Sequence, residues 1–221
     1  MTDRRKTKPS PAQKAHRTRR RTYHKIREGI LFLECTVKSK EECSEVAFLK
    51  EYMRILNHQL SADRKKEVDF NYEPIYGKWK LKEALEDAYH YTIHVSSHGS
   101  VDKKTGRTYL DTSHGQLYSE DLEDLWSDWE DEEKPLLLVL SACRAGHKDL
   151  IRAFAEAGCR YCVAPVLDTK WEHAALFSTF FYTYLFLNRN RPTVAFSNTI
   201  YAMPELTGKW KIFDRGKDMR L

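Results

Sequence analysis

A chain of 221 residues is long enough to bury one core and short for two, and its 41% hydrophobic and 12% aromatic content suits a globular domain. No stretch reaches the roughly 18 apolar residues that cross a bilayer, and the start lacks the apolar core of a secretory signal, so a soluble, cytoplasmic protein without a membrane span is expected. The net charge of +5 averages two unlike parts: residues 1–27 hold eleven Lys or Arg against the single acid Asp3, a balance of +10 that leaves −5 for residues 28–221.

The opening, MTDRRKTKPSPAQKAHRTRRRTYHK, has almost no hydrophobic residues and two prolines, which predicts a disordered basic arm over residues 1–27 ahead of one domain over 28–221. Such an arm can bind nucleic acid or an anionic membrane, can serve solubility alone, or can dock on an acidic stretch of the same chain. GILFLECTV at 29–37 reads as a strand, followed by a helix in which Val46, Leu49, Met53 and Leu56 recur at helical spacing. After the polar loop SADRKKE, VDFNYEPI is a second strand or extended segment, and KWKLKEALEDAY places Leu81, Ala84, Leu85 and Ala88 on one helical face. YTIHVSSHG is a strand ending in small polar residues, His98 and Gly99. Residues 100–118, with KKTGR as the turn, read as a hairpin insertion.

SEDLEDLWSDWEDEE, residues 119–133, carries nine acids and no bases and is expected to be an acidic helix capped by Ser119. In PLLLVLSACRAGHKDL, residues 135–150, the run Leu136 to Leu140 predicts a strand buried on both faces that gives way at Cys143 to a small-polar loop. A helix follows with Leu150, Ile151, Phe154 and Ala157 inward, stopped by Gly158. RYCVAP is a further strand, leading to a long helix with Trp171, Ala174, Ala175, Ser178, Phe181, Tyr182 and Leu185 on one face and Thr169 with Glu172 as its capping box. Strands alternating with helices imply a mostly parallel sheet with right-handed crossovers, hence an α/β fold, a three-layer α/β/α sandwich with a hairpin insertion.

Five cysteines, an odd number, argue against a disulfide framework. Cys159 and Cys162 form a C-x-x-C spacing in AGCRYCVAP, but with neither a second knuckle nor a helix start the pair reads as structural. Cys143 differs, because it leaves the carboxyl end of a buried strand, the edge of an open α/β sheet where ligands bind. His98 leaves the previous long strand in the same way. If the two strands are parallel neighbours, their ends lie about 5 Å apart and both side chains can meet over one cleft. A thiol there needs a base or cation to raise its thiolate fraction, and an imidazole can then protonate a departing amine. Gly99 lets a substrate carbonyl approach the backbone, and the amides of Gly99 and Cys143 are candidates for an oxyanion hole.

The set HVSSHG, then LVLSACRAG forty-five residues on from histidine to cysteine, then AFAEAGCRYCVAP and ALFSTFFYTYL, resembles the caspase-like cysteine peptidases and within them the CHAT domain family, over roughly residues 29–190. The resemblance implies a sheet with helices on both faces, cleavage of peptide bonds, His98 in the histidine role, Cys143 as nucleophile and Gly99 as an oxyanion amide. Many CHAT domains carry Trp-Pro where this chain reads VAPVLD, and many are attached to helical repeats that it lacks, so a separate regulatory or activating protein partner is expected.

His94 reads as a packing or hydrogen-bonding residue, and His114, also before a glycine, belongs to the hairpin and ranks below His98. His147 ranks below both as a partner for Cys143. Taken alone, Cys143 also fits a core cysteine. Asp168 and Asp111 lie near the active edge and are candidates to bind a basic substrate side chain, with helix capping an equal explanation for Asp168. Ser141 occupies the place, two before the cysteine, where basic-selective relatives often carry an acid. Arg144 is expected to hold the loop. No metal pattern such as H-E-x-x-H is present, and no metal or cofactor is expected. These readings lead to a cysteine endopeptidase working through a Cys-His dyad on a protein substrate, in bacterial signalling or defence by family analogy. The alternative is a catalytically silent interaction module whose basic arm binds nucleic acid or an acidic partner.

Overall fold

The computed structural model describes residues 29–35, 44–88 and 90–219; the basic arm lies outside the described residues. The near-continuous apolar run GILFLEC forms β1 (Gly29–Cys35), almost wholly buried. Helix α1 (Glu45–Ala62) starts at Ser44, whose hydroxyl accepts from the Ala47 amide, and turns Val46, Leu49, Met53, Leu56 and Leu60 inward. Then come the edge strand β2 (Asp69–Ile75), α2 (Lys78–Asp87) with Leu81, Ala84 and Leu85 buried, and β3 (Thr92–Ser96). Further on, β7 (Leu137–Ser141), buried at every residue, is followed by α3 (Lys148–Glu156), β8 (Tyr161–Pro165) and α4 (Trp171–Tyr182), which runs on as one π turn at Thr183–Leu187.

The predicted alternation is realised as a seven-stranded sheet in which β2, β1, β3, β7 and β8 are parallel neighbours. One core cluster lies between the sheet and α2, α3 and the acidic segment; the other lies under α1 and α4. Gly158, at φ +110°, ends α3 where expected.

The hairpin insertion is a separate three-stranded antiparallel sheet of β4 (His98–Val101), β5 (Thr108–Thr112) and β6 (Gly115–Tyr118). His98 and Gly99 therefore open a strand of this small sheet. The acidic stretch is not the expected helix: Ser119–Leu122 make one 3-10 turn, and turns follow. Its cap is Tyr118, whose amide donates to the Asp121 carboxylate, so Ser119 is not the N-cap. In a helix Glu120, Asp124, Asp128 and Glu132 would stack like charges at i,i+4. With Asp124 and Trp126 at positive φ, the chain instead buries Leu122, Leu125, Trp126 and Trp129, and the Trp126 indole donates to Leu85 O at 2.6 Å.

Two further differences concern α4. Its N-cap is Lys170 without a side-chain hydrogen bond, so the Thr169 and Glu172 capping box does not form. Trp171, expected on the inner face, is 42% exposed.

Beyond α4, α5 (Pro192–Ala202) begins with proline at its first position, and β9 (Trp210–Asp214) pairs antiparallel to β8, followed by β10 (Lys217–Asp218). Trp210 anchors this end by stacking on Phe177, with ring centroids 4.0 Å apart, while its indole N–H finds no partner among the described residues. Trp210→Ala is expected to cost about 3–5 kcal/mol and roughly 10 °C of melting temperature. Trp210→Phe, which keeps the stack and removes the unmatched N–H, should cost less than about 1.5 kcal/mol in the same denaturation experiment.

Candidate active site

Strands β3 and β7 pair in parallel with Ser96 opposite Ser141, the neighbour relation that the site requires. One step on, the Ser97 amide donates to Ser141 O at 3.1 Å, and beyond that rung the two chains diverge. His98 enters β4, whereas Cys143 enters a tight turn closed by Ala145 N–H to Ala142 O. The divergence is shallow, because a Cβ built on Gly99 would run into the Cys143 carbonyl oxygen and stand 3.1 Å from Ala142 Cβ. Only glycine lets the segment carrying His98 lie directly on the peptide of Cys143.

Cys143 is half-buried, unlike Cys35, Cys159 and Cys162, which are buried. Burial pushes the Cys35 thiol up to about 12, and the contact with Cys159 together with burial raises Cys162 far above its ordinary value, so both stay protonated at neutral pH. The C-x-x-C pair is thus packed into the sheet, with the Cys159 thiol donating to Tyr161 O at 3.3 Å. Against Cys143 Sγ the Thr169 amide donates at 3.3 Å, and Thr169 O stands 3.5 Å away. Thr169, read from the sequence as a cap, instead meets the sulfur with its backbone, the amide donating to Sγ and the carbonyl accepting from the thiol.

The turn after Cys143 is fixed on its far side. Arg144, at φ +59°, places its guanidinium on both oxygens of Asp168 at 2.8 and 2.9 Å, its amide donates to Leu167 O, and Gly146 N–H donates to Pro165 O at 2.8 Å. Arg144 holds the loop, and the Asp168 carboxylate is already engaged. Asp111 sits directly opposite His98 in the β4–β5 ladder, hence on the same face of the small sheet. Its backbone carbonyl accepts from Ser97 Oγ at 2.6 Å.

His114, His147 and His94 lie elsewhere. His114 lies in the β5–β6 connection and bridges to Gly77 before α2, and His147 faces Asp149 at 3.0 Å. Hydrogen bonds from Thr108, His147 and Leu150 outweigh burial and hold Asp149 below the usual carboxylate range. His94 is fully buried, its Nδ1 2.7 Å from Tyr182 Oη. One residue passed over in the sequence stands beside it. Glu45, 5% exposed, accepts hydrogen bonds from Ser96, Ser141 and Ser178. Among the described residues no three His, Cys, Asp or Glu side chains converge to hold a metal, and no helix is long and apolar enough to cross a membrane.

The CHAT domain matches residues 38–199 of this chain, most of its length. The chain belongs to the CHAT domain family. No curated protein matches it by sequence. In fold, this CHAT domain is similar to a secreted C11 cysteine protease from Bacteroides thetaiotaomicron, iotapain, at 8% identity and TM-score 0.55, over 86% of this chain and 67% of that one. It is also similar to an inactive zymogen C11 protease from Parabacteroides distasonis, at 9% identity and TM-score 0.50, over 85% of this chain and 61% of that one. The Drosophila initiator caspase Dronc aligns at 9% identity and TM-score 0.51, over 87% of this chain and 82% of that one. At such identities the likeness establishes a caspase-like fold.

Proposed function

We propose that this CHAT domain is a cysteine endopeptidase with Cys143 as nucleophile and His98 as general acid and base. The observation that carries the reading is the seating of the Gly99 backbone on the Cys143 carbonyl, which brings the two candidate residues to one sheet edge. The Cys143 thiolate attacks the scissile carbonyl carbon, and the oxyanion takes hydrogen bonds from the amides of Gly99 and Cys143. As the C–N bond breaks, the His98 imidazolium gives its proton to the departing amine. Water then loses a proton to His98, attacks the acyl carbon, and the thiolate leaves. The reaction requires no cofactor.

Of the two acids at the edge, Asp111 is the better candidate for a cationic substrate chain, because a substrate at Asp168 would compete with two hydrogen bonds from Arg144. An activating partner that orders the cleft, and a cytoplasmic role in bacterial signalling or defence, belong to the same proposal. The test is to incubate the wild-type chain and Cys143→Ala with a complex protein mixture, with and without the products of neighbouring genes, and map new N-termini by mass spectrometry. Termini made only by the wild type, with Lys or Arg before the cut in an Asp111-dependent way, support the reading. Identical termini under every condition would instead favour the silent interaction module.

A further inference from the structure

We propose that Glu45 is a positioning residue for His98 and Cys143, a clamp on the two strand ends from which they leave; the inference rests on the peptidase reading. Glu45 is the first residue of α1, where an acid is ordinarily a solvated partner of the helix dipole. Here it is turned inward and buried. A single oxygen, Oε2, accepts from Ser96 Oγ at 3.1 Å and from Ser141 Oγ at 2.5 Å. Those serines face each other on the last side-chain rung of the β3–β7 ladder. His98 is two residues past the first serine and Cys143 two past the second, so one carboxylate oxygen ties together the rung from which both depart.

The clamp is itself held. Oε1 accepts from Ser178 Oγ of α4 at 3.2 Å and stands 3.4 Å from the buried His94 Nε2. Burial, and then the charge of Glu45, keep the Tyr182 phenol protonated, 2.7 Å from the other nitrogen of His94. On the neighbouring rung Glu34, opposite Ser96, accepts from Ser44 and, at 2.8 Å, from Tyr72. The N-terminus of α1 therefore binds the carboxyl ends of β1, β3 and β7. Taking a carboxylate out of water is costly unless its lone pairs are filled, and here three serine hydroxyls fill them. The backbone ladder already pairs the strands. What the carboxylate adds is a fixed separation at the point where the ladder stops.

The experiment reads the rate at which iodoacetamide alkylates Cys143 in the full chain at pH 7, followed on the Cys143 peptide by mass spectrometry; the thiolate displaces iodide, so the rate reports thiolate fraction and access. His98→Ala should lower the rate by about tenfold through loss of the imidazole beside the thiol. Glu45→Ala should lower it to a similar degree, and Glu45→Gln should recover most of it, since the amide oxygen can accept both serine hydroxyls and the NH2 can donate to Ser178 Oγ. A Glu45→Ala protein with a lower melting temperature and the wild-type alkylation rate would overturn the proposal, leaving Glu45 a structural residue only. Should Glu45→Ala not fold, the double variant Ser96→Ala/Ser141→Ala decides in its place: a fall of about tenfold supports the clamp, and no fall overturns it. If His98→Ala itself leaves the rate unchanged, the dyad fails and the clamp has nothing to align. That outcome differs from one in which His98→Ala slows alkylation and Glu45→Ala does not.

Discussion

Replacing Cys143 with alanine is expected to lower kcat/KM by about 10⁴-fold or more on any substrate the chain cleaves, and His98→Ala by a comparable factor. In the proposed mechanism each variant removes one half of a unit, the nucleophile or the group that protonates the leaving amine. The losses should therefore not add. The double variant should be no slower than the worse single variant to within a few-fold, the residual rate coming from substrate binding and the oxyanion amides. Initial rates at saturating and limiting substrate decide the matter. Full additivity would mean that the two residues act in separate steps. Because neither side chain carries the core packing of Leu138 or Leu140, both single variants should melt close to the wild type, which separates a chemical loss from a folding one.

The second large effect is expected at Gly99. A methyl group there meets backbone atoms, the oxygen and carbon of the Cys143 carbonyl, and a peptide cannot swing aside as a flexible side chain can. Either β4 lifts away with His98 or the Cys143 turn is pushed down. Overpacking of this kind costs about 1–3 kcal/mol, and a displacement of about 1 Å between reacting groups costs about 10²-fold in rate. Gly99→Ala should therefore lose about a hundredfold in kcat while remaining folded, measured by steady-state kinetics beside a thermal melt. Unchanged kcat would show that the contact between the two segments is not what aligns the pair.

The buried runs of β1, β3 and β7 announce themselves because a parallel sheet covered on both faces demands apolar residues at nearly every position, and the order of His98 and Cys143 at two strand ends follows from them. Burial on both faces made the candidate pair readable. Glu45 was not readable, because an acid in the first helical turn is what the helix dipole favours on any surface, and nothing local marks one that faces inward. The serines that meet it are equally plain in sequence. Thr169 illustrates a different limit: its residue type suggested a cap, whereas the structure uses its amide, which carries no residue signature. The acidic segment sends two opposed signals, since its apolar residues suit a helix while its like charges do not. The C-terminal β9 carries no such signal, because Trp-Lys-Ile-Phe-Asp is short, antiparallel and outside the alternation of strands and helices.

The place of β7 in the sheet also bears on the order of assembly. The chain supplies β1, β2 and β3 first, then spends residues 97–136 on the small sheet and the acidic turns before β7 arrives to fill the slot beside β3. Until then β3 is an open edge, and its pairing with β7 joins residues far apart in the chain, Thr92 with Leu137. A nascent or half-folded chain thus holds its histidine and its cysteine apart. The ladder that joins β7 to β3 is thus also the one that brings the two to one edge.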